Sequence, residues 1–87
     1  MASYSLRWKQ SARKELKRLD RSAIARIMAA VQALVEEPCP AGCRQLQGTE
    51  HLWRIRVGDY RVIYSIEQGE LCIEVIRVAH RQSVYKK

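Results

Sequence analysis

The segment from Leu52 to Ile66, LWRIRVGDYRVIYSI, leaves a chain few ways to fold. Apolar and arginine residues alternate from Trp53 to Val57, and a second alternation runs from Tyr60 to Ile66. A period of two marks strands with one buried face. Only Gly58 and Asp59 separate the two runs, and a two-residue loop with glycine first suits a type II′ hairpin, because glycine takes a positive φ without a Cβ clash. The register then follows: Val57 opposite Tyr60, Arg56 opposite Arg61, Ile55 opposite Val62, Arg54 opposite Ile63. Cross-strand partners share a face, so Arg54, Arg56 and Arg61 project from one side. Trp53, Ile55, Val57, Tyr60, Val62 and Tyr64 cover the other. Like charges directly opposite on a sheet are destabilising, and a chain that gathers them has an anion to put there.

Composition narrows the partner. The 87 residues suit one domain, 1–87, with a modest core, and a formal net charge of +7 points to an acidic partner, nucleic acid first. No run of apolar residues is long enough to span a membrane. The N-terminus, MASYSLRWK, lacks the apolar stretch of a secretory signal, so a cytoplasmic protein is expected. The three cysteines, Cys39 and Cys43 in PCPAGC and Cys72 in a strand, are then expected to be reduced thiols. A zinc site would need further ligands, and neither His51 nor His80 pairs with another histidine, so no metal or other cofactor is expected.

Along the chain, Tyr4, Leu6 and Trp8 alternate with polar residues and predict a first strand. From Gln10 or Ser11 the spacing turns helical, with Ala12, Leu16 and Leu19 inward and Arg13, Lys14, Lys17 and Arg18 outward. Asp20 is the expected N-cap, its carboxylate accepting from free amides, of a second helix running to about Glu37. Its stripe is Ile24, Ile27, Met28, Val31, Leu34 and Val35, and Pro38 and Pro40 end it. A short strand at Cys43 to Leu46 precedes the hairpin. A turn at Gln68 and Gly69, with Glu67 opposite Glu70, leads to a last strand from Leu71 to Val78. That register sets Arg61 opposite Ile76, Ile63 opposite Glu74 and Tyr64 opposite Ile73, and brings His80 onto the face of Arg61. The fold class is α+β: a helix hairpin on one face of a curved, mainly antiparallel sheet, with a basic face left open.

The order of elements, with L-x-G at Leu46 to Gly48, W-R-I-R at Trp53 to Arg56, G-D-Y-R-V-I-Y at Gly58 to Tyr64 and V-A-H-R-Q-S-V-Y at Val78 to Tyr85, resembles the RelE/ParE toxin superfamily, its RelE branch in particular. The resemblance covers nearly the whole chain. It implies a type II toxin that cleaves messenger RNA in the ribosomal A site without a metal, and a RelB-like antitoxin that wraps and blocks it in a hetero-oligomer. Contacts to the ribosome, including 16S ribosomal RNA, are implied with it. The implied site falls on Arg54, Arg56, Arg61, Arg81 and Tyr85, with His80 adjacent.

Such cleavage needs a base for the ribose 2′-hydroxyl, cations for the phosphorane-like transition state and an acid for the departing 5′-oxygen. Arginine forks suit the second role. A guanidinium, with a pKa above about 12, is a poor base at neutral pH, whereas an imidazole titrates near about 6.5, so His80 is the expected base. Arg81 is expected to stabilise phosphate or leaving group, and Tyr85 to stack on a base or donate to phosphate. Arg44, Arg77, Lys86 and Lys87 are the further expected RNA contacts. Two competing functions share this sequence: a ParE-like gyrase poison, and a non-catalytic nucleic-acid-binding module.

Overall fold

The computed structural model describes residues 4–48, 51–67 and 69–80. Leu6 and Trp8 turn inward from a first strand, β1 (Ser5–Trp8), while Ser5 and Arg7 are exposed. The change to helical spacing gives α1 (Gln10–Lys17), which buries Ala12 and Leu16, and α2 (Arg21–Leu34). Asp20 does occupy the N-cap of α2, but its carboxylate makes no capping bond; its carbonyl accepts from Ile24 N at 3.0 Å. The buried stripe of α2 is Ala23, Ile27, Val31 and Leu34, with Ile24 and Ala30 half-buried, and Met28 is 38% exposed. The stripe is therefore rotated from the expected one: small alanines let α2 approach the sheet where the longer Met28 was expected. Fully burying residues such as Ile27 and Leu34 stabilises the packing by roughly 1.5–3 kcal/mol each.

α2 stops at Leu34, ahead of the expected Glu37, as Glu36 and Glu37 N–H groups turn back to the Ala33 carbonyl before Pro38. The following loop departs from expectation, because Cys39 and Cys43 are joined in a disulfide with Cα atoms 5.3 Å apart. Cys72 alone is a free, buried thiol among the described residues. Beneath this loop, Tyr64 is fully buried, its hydroxyl donating to the Pro38 carbonyl at 2.6 Å and lying 3.3 Å from Cys43 Sγ.

The remaining strands are β2 (Arg44–Gln45), β3 (Leu52–Val57), β4 (Tyr60–Glu67) and β5 (Cys72–His80), in a five-stranded sheet ordered β1-β5-β4-β3-β2. β1 runs parallel to β5 and every other pair is antiparallel. Both helices lie on one face, α1 against β5 and α2 against β3, and close a core with Ile55, Val62, Tyr64, Ile73, Val75 and Val78. The β3–β4 register is the one read from the alternation, from Val57 with Tyr60 to Arg54 with Ile63. Gly58 takes φ +61° while Asp59 stays at negative φ, the signs of a II′ turn.

The β4–β5 register departs from expectation twice. Glu67 pairs with Cys72, so the connection is the longer loop 68–71, in which Leu71 rather than a glycine takes positive φ, at +51°. Tyr64 then pairs with Val75 and Ile63 with Arg77, which leaves Ile76 as an extra residue in β5. Such a bulge reverses the facing of every later side chain. Its cause is visible in the run VIRV: strict alternation after Val75 would turn Arg77 into the core and Val78 out, whereas the bulge buries Val78 and leaves Arg77 exposed. Burying an unpaired charge costs far more than one irregular pair.

Glu15 of α1 holds the bulge in place. Beyond the end of the β1–β5 pairing, its Oε1 accepts from Val78 N at 2.8 Å, and its Oε2 lies 3.5 Å from Arg77 Nε. Hydrogen bonds to a charged group contribute about 1.5–3 kcal/mol. Glu15→Ala is expected to lower unfolding free energy by about that amount in urea titrations, and Glu15→Gln, which keeps an acceptor, by about 1 kcal/mol or less.

Burial pushes the Tyr64 phenol pKa up from 10.0 to about 12. The folded chain therefore keeps a proton that the unfolded chain releases, so this stability is whole below pH 10 and is lost as pH rises toward 12. Over that window the urea midpoint is expected to fall faster for the parent than for Tyr64→Phe, by about 1.4 kcal/mol per pH unit in free energy at most. At neutral pH, Tyr64→Phe loses the bond to Pro38 and is expected to be less stable by about 1 kcal/mol.

Candidate nucleic-acid interface

The face of the sheet opposite the helices collects its charge from β2, β3 and β4. Arg44 pairs with Arg54, and Arg56 pairs with Arg61, so two like-charged pairs lie side by side on neighbouring strands. Opposed residues on one face have Cβ atoms about 4.5–5.5 Å apart. Arg54 and Arg61 are half-buried, which holds their stems, while Arg44 and Arg56 are exposed. Arg56 Nε donates to the Gly58 carbonyl at 3.2 Å, fixing that side chain against its own turn. A depression of about 350 Å³ lies at the β2 end, lined by Arg44, Gln45, Leu46, Gln47 and Arg54.

The same face continues across β5 to β1. Arg7 Nε donates to Cys72 Sγ at 3.2 Å, and this contact holds the Arg7 pKa above its ordinary value. Glu74, expected opposite Ile63, stands opposite Ser65 and Arg7 instead. Arg77 falls opposite Ile63, with its Nε turned to Glu15.

His80 is where the structure corrects the sequence most sharply. It pairs with Tyr60, whereas Arg61 pairs with Ala79, so His80 shares the face of Tyr60 and Val62 and lies across the sheet from Arg54, Arg56 and Arg61. Its ring meets Tyr60 edge-on, centroids 5.5 Å apart and planes at 87°. Both rings line a cleft of about 300 Å³ with Arg18 and Leu19 of the helix side. The extra residue Ile76 is the reason: without it, His80 would have arrived beside the arginines. Arg81, Tyr85, Lys86 and Lys87 lie outside the described residues.

Two residues that the sequence reading left aside help shape the site. Glu15 sets the phase of β5, and its signal was present as an acid on the basic α1, at the position facing the strand end. Arg26 of α2 reaches the hairpin turn, its guanidinium about 3.5 Å from where a Cβ on Gly58 would stand. Nothing in the helical spacing marks it, because contact with a distant turn is a tertiary feature.

A face with paired guanidiniums and an apolar centre at Ile63 and Ala79 can bind phosphodiester oxygens by paired N–H donors and stabilise added negative charge there. Residues 6–85 match the family described as ParE toxin of type II toxin-antitoxin system, parDE. The chain is 31% identical over 88 residues to Toxin RelG of Mycobacterium tuberculosis, covering 97% of this chain and 98% of that one. It is also 32% identical over 77 residues to Toxin RelE of the same organism, covering 87% and 79%. Among solved structures, the archaeal RelE-RelB complex from Pyrococcus horikoshii OT3 matches with a TM-score of 0.81 at 30% identity, over 91% of this chain and 96% of that one. The toxin-antitoxin complex RelBE2 from Mycobacterium tuberculosis matches with a TM-score of 0.81 at 26% identity, over 92% and 100%. Sequence and fold agree along nearly the whole chain, which therefore belongs to the RelE/ParE toxin superfamily of type II toxin-antitoxin systems.

Proposed function

We propose that this toxin is a ribosome-dependent endoribonuclease that cleaves messenger RNA in the A site and so stops translation. The observation that carries the reading is the placement of Arg54, Arg56 and Arg61 on one helix-free face, with Arg56 directly opposite Arg61. In this reading the scissile phosphate lies across that pair. The 2′-oxygen attacks phosphorus, the bond from phosphorus to the 5′-oxygen breaks, and the products are a 2′,3′-cyclic phosphate and a 5′-hydroxyl. The guanidiniums neutralise the charge that builds on the equatorial oxygens, without a metal ion. Arg44 extends the phosphate track toward β2, and Lys86 and Lys87 extend it from the C-terminal segment. Arg81 stabilises the leaving oxygen and Tyr85 orients the nucleotide.

His80 has no place in the proton transfer under this geometry, because its ring is on the helix side. Cleavage rests on charge stabilisation: the 2′-proton passes to solvent water, and the departing 5′-oxygen takes its proton from solvent water. The partners in this reading are the ribosome with its message, and a cognate RelB-like antitoxin that covers the basic face in the cytoplasm. Support for the antitoxin comes from the RelE-RelB complexes that the fold resembles.

A ParE-like gyrase poison is the second reading, favoured by the family description over residues 6–85. Induction followed by mapping of transcript 5′ ends separates the two. Codon-phased cuts within translated messages support the nuclease, and DNA damage with intact messages supports the gyrase poison.

On programmed ribosomes, Arg61→Ala is expected to lower the cleavage rate by roughly 10²-fold or more, as for loss of one transition-state donor. His80→Ala is expected to stay within about threefold of the parent. A loss with His80→Ala comparable to that with Arg61→Ala would return the histidine to the reaction.

A further inference from the structure

Two guanidiniums reach the same glycine from opposite sides of the sheet. Arg56 comes from β3 on the open face, its Nε bonded to the Gly58 carbonyl at 3.2 Å. Arg26 comes from α2 on the other face, with Nη1 and Nη2 each 3.5 Å and Cζ 3.6 Å from the place a Cβ would take on Gly58. The missing side chain is what admits Arg26 so close. Asp59 is the carboxylate nearest in sequence, yet among the described residues neither Arg26 nor Arg56 is ion-paired to it, and the Arg26 guanidinium has no hydrogen-bond partner. Arg56 spends its Nε on the turn and keeps its terminal amino groups for other acceptors. Both guanidiniums thus end beside the same residue of the turn, and a phosphate lying against the tip is offered N–H donors from each.

We infer that the hairpin tip is a second phosphate subsite, in which Arg26 and Arg56 hold the phosphodiester of a nucleotide neighbouring the scissile one. This rests on the proposed nuclease reading and extends it from a flat floor to a strand that turns over the end of the hairpin. Arg26 is a binding residue here and takes no part in the chemical step.

The test measures binding of the full-length toxin to a uniformly 2′-O-methylated RNA oligonucleotide, which cannot be cleaved, across a series of salt concentrations. Arg26→Ala is expected to weaken binding by about three- to tenfold and to reduce the slope of log K against log salt by about 0.7, the value for one phosphate on a single strand. Arg26→Lys should keep the slope, and Lys14→Ala on the outer side of α1 should behave as the parent. The thermal midpoint of Arg26→Ala should match the parent, and in cleavage assays KM should rise while kcat holds.

A loss found on the free oligonucleotide upholds the subsite, and a loss found only on vacant ribosomes assigns the phosphate to ribosomal RNA and overturns it. It is overturned if Arg26→Ala binds as the parent in both settings while Arg61→Ala does not, or if its weakened binding tracks a lowered thermal midpoint. A defect confined to an acidic peptide ligand overturns it too. If Arg61→Ala also binds as the parent, the failure lies with the nuclease reading itself.

Discussion

One surplus residue in the last strand, Ile76, decides what each face of this sheet presents. On one side of it, Ile73 and Val75 point to the helices; on the other, Val78 and His80 do. The bulge resolves a conflict written into VIRV, where apolar residues three apart both require burial and the arginine between them does not. Next to it a carboxylate from α1 accepts from the Val78 N–H, which lies past the end of the β1–β5 pairing, and the same carboxylate steadies the arginine turned outward. The basic face consequently stays free of imidazole. A helix contact thus helps decide which side chains the opposite surface presents.

How much of this was legible depends on how far each signal reaches along the chain. The β3–β4 hairpin could be read to the residue, since a two-residue reversal and clean alternation fix both register and facing. That was enough to bring Arg54, Arg56 and Arg61 together, along with most of the core. β5 was misread because Gln68-Gly69 looks like a tight turn, whereas Leu71 takes the left-handed conformation and lengthens the loop. The error was then compounded at the bulge, whose cause lies partly in α1. Met28 and the alanines of α2 tell the same story: periodicity places a stripe within one position, and the room available against the sheet sets the final rotation.

The loop before β2 is a further case where tertiary packing exceeds local reading. Cysteine count and expected compartment argued for thiols, yet Cys39 and Cys43 sit at a separation that a disulfide bridges, over the buried hydroxyl of Tyr64. Tyr64 belongs at once to the core and to this loop. It therefore ties the entry into β2, and with it Arg44, to the middle of the sheet.

The pairing of β1 with β5 joins the opening of the chain to its closing strand, Ser5 beside Cys72 and Trp8 beside Val75. Contacts so distant in sequence form late, because the loop between them must first be closed. A nascent chain cannot complete this sheet while its final strand is still held in the exit tunnel. β1 therefore waits for its neighbour until β5 has left the ribosome, and the sheet reaches its full width only then.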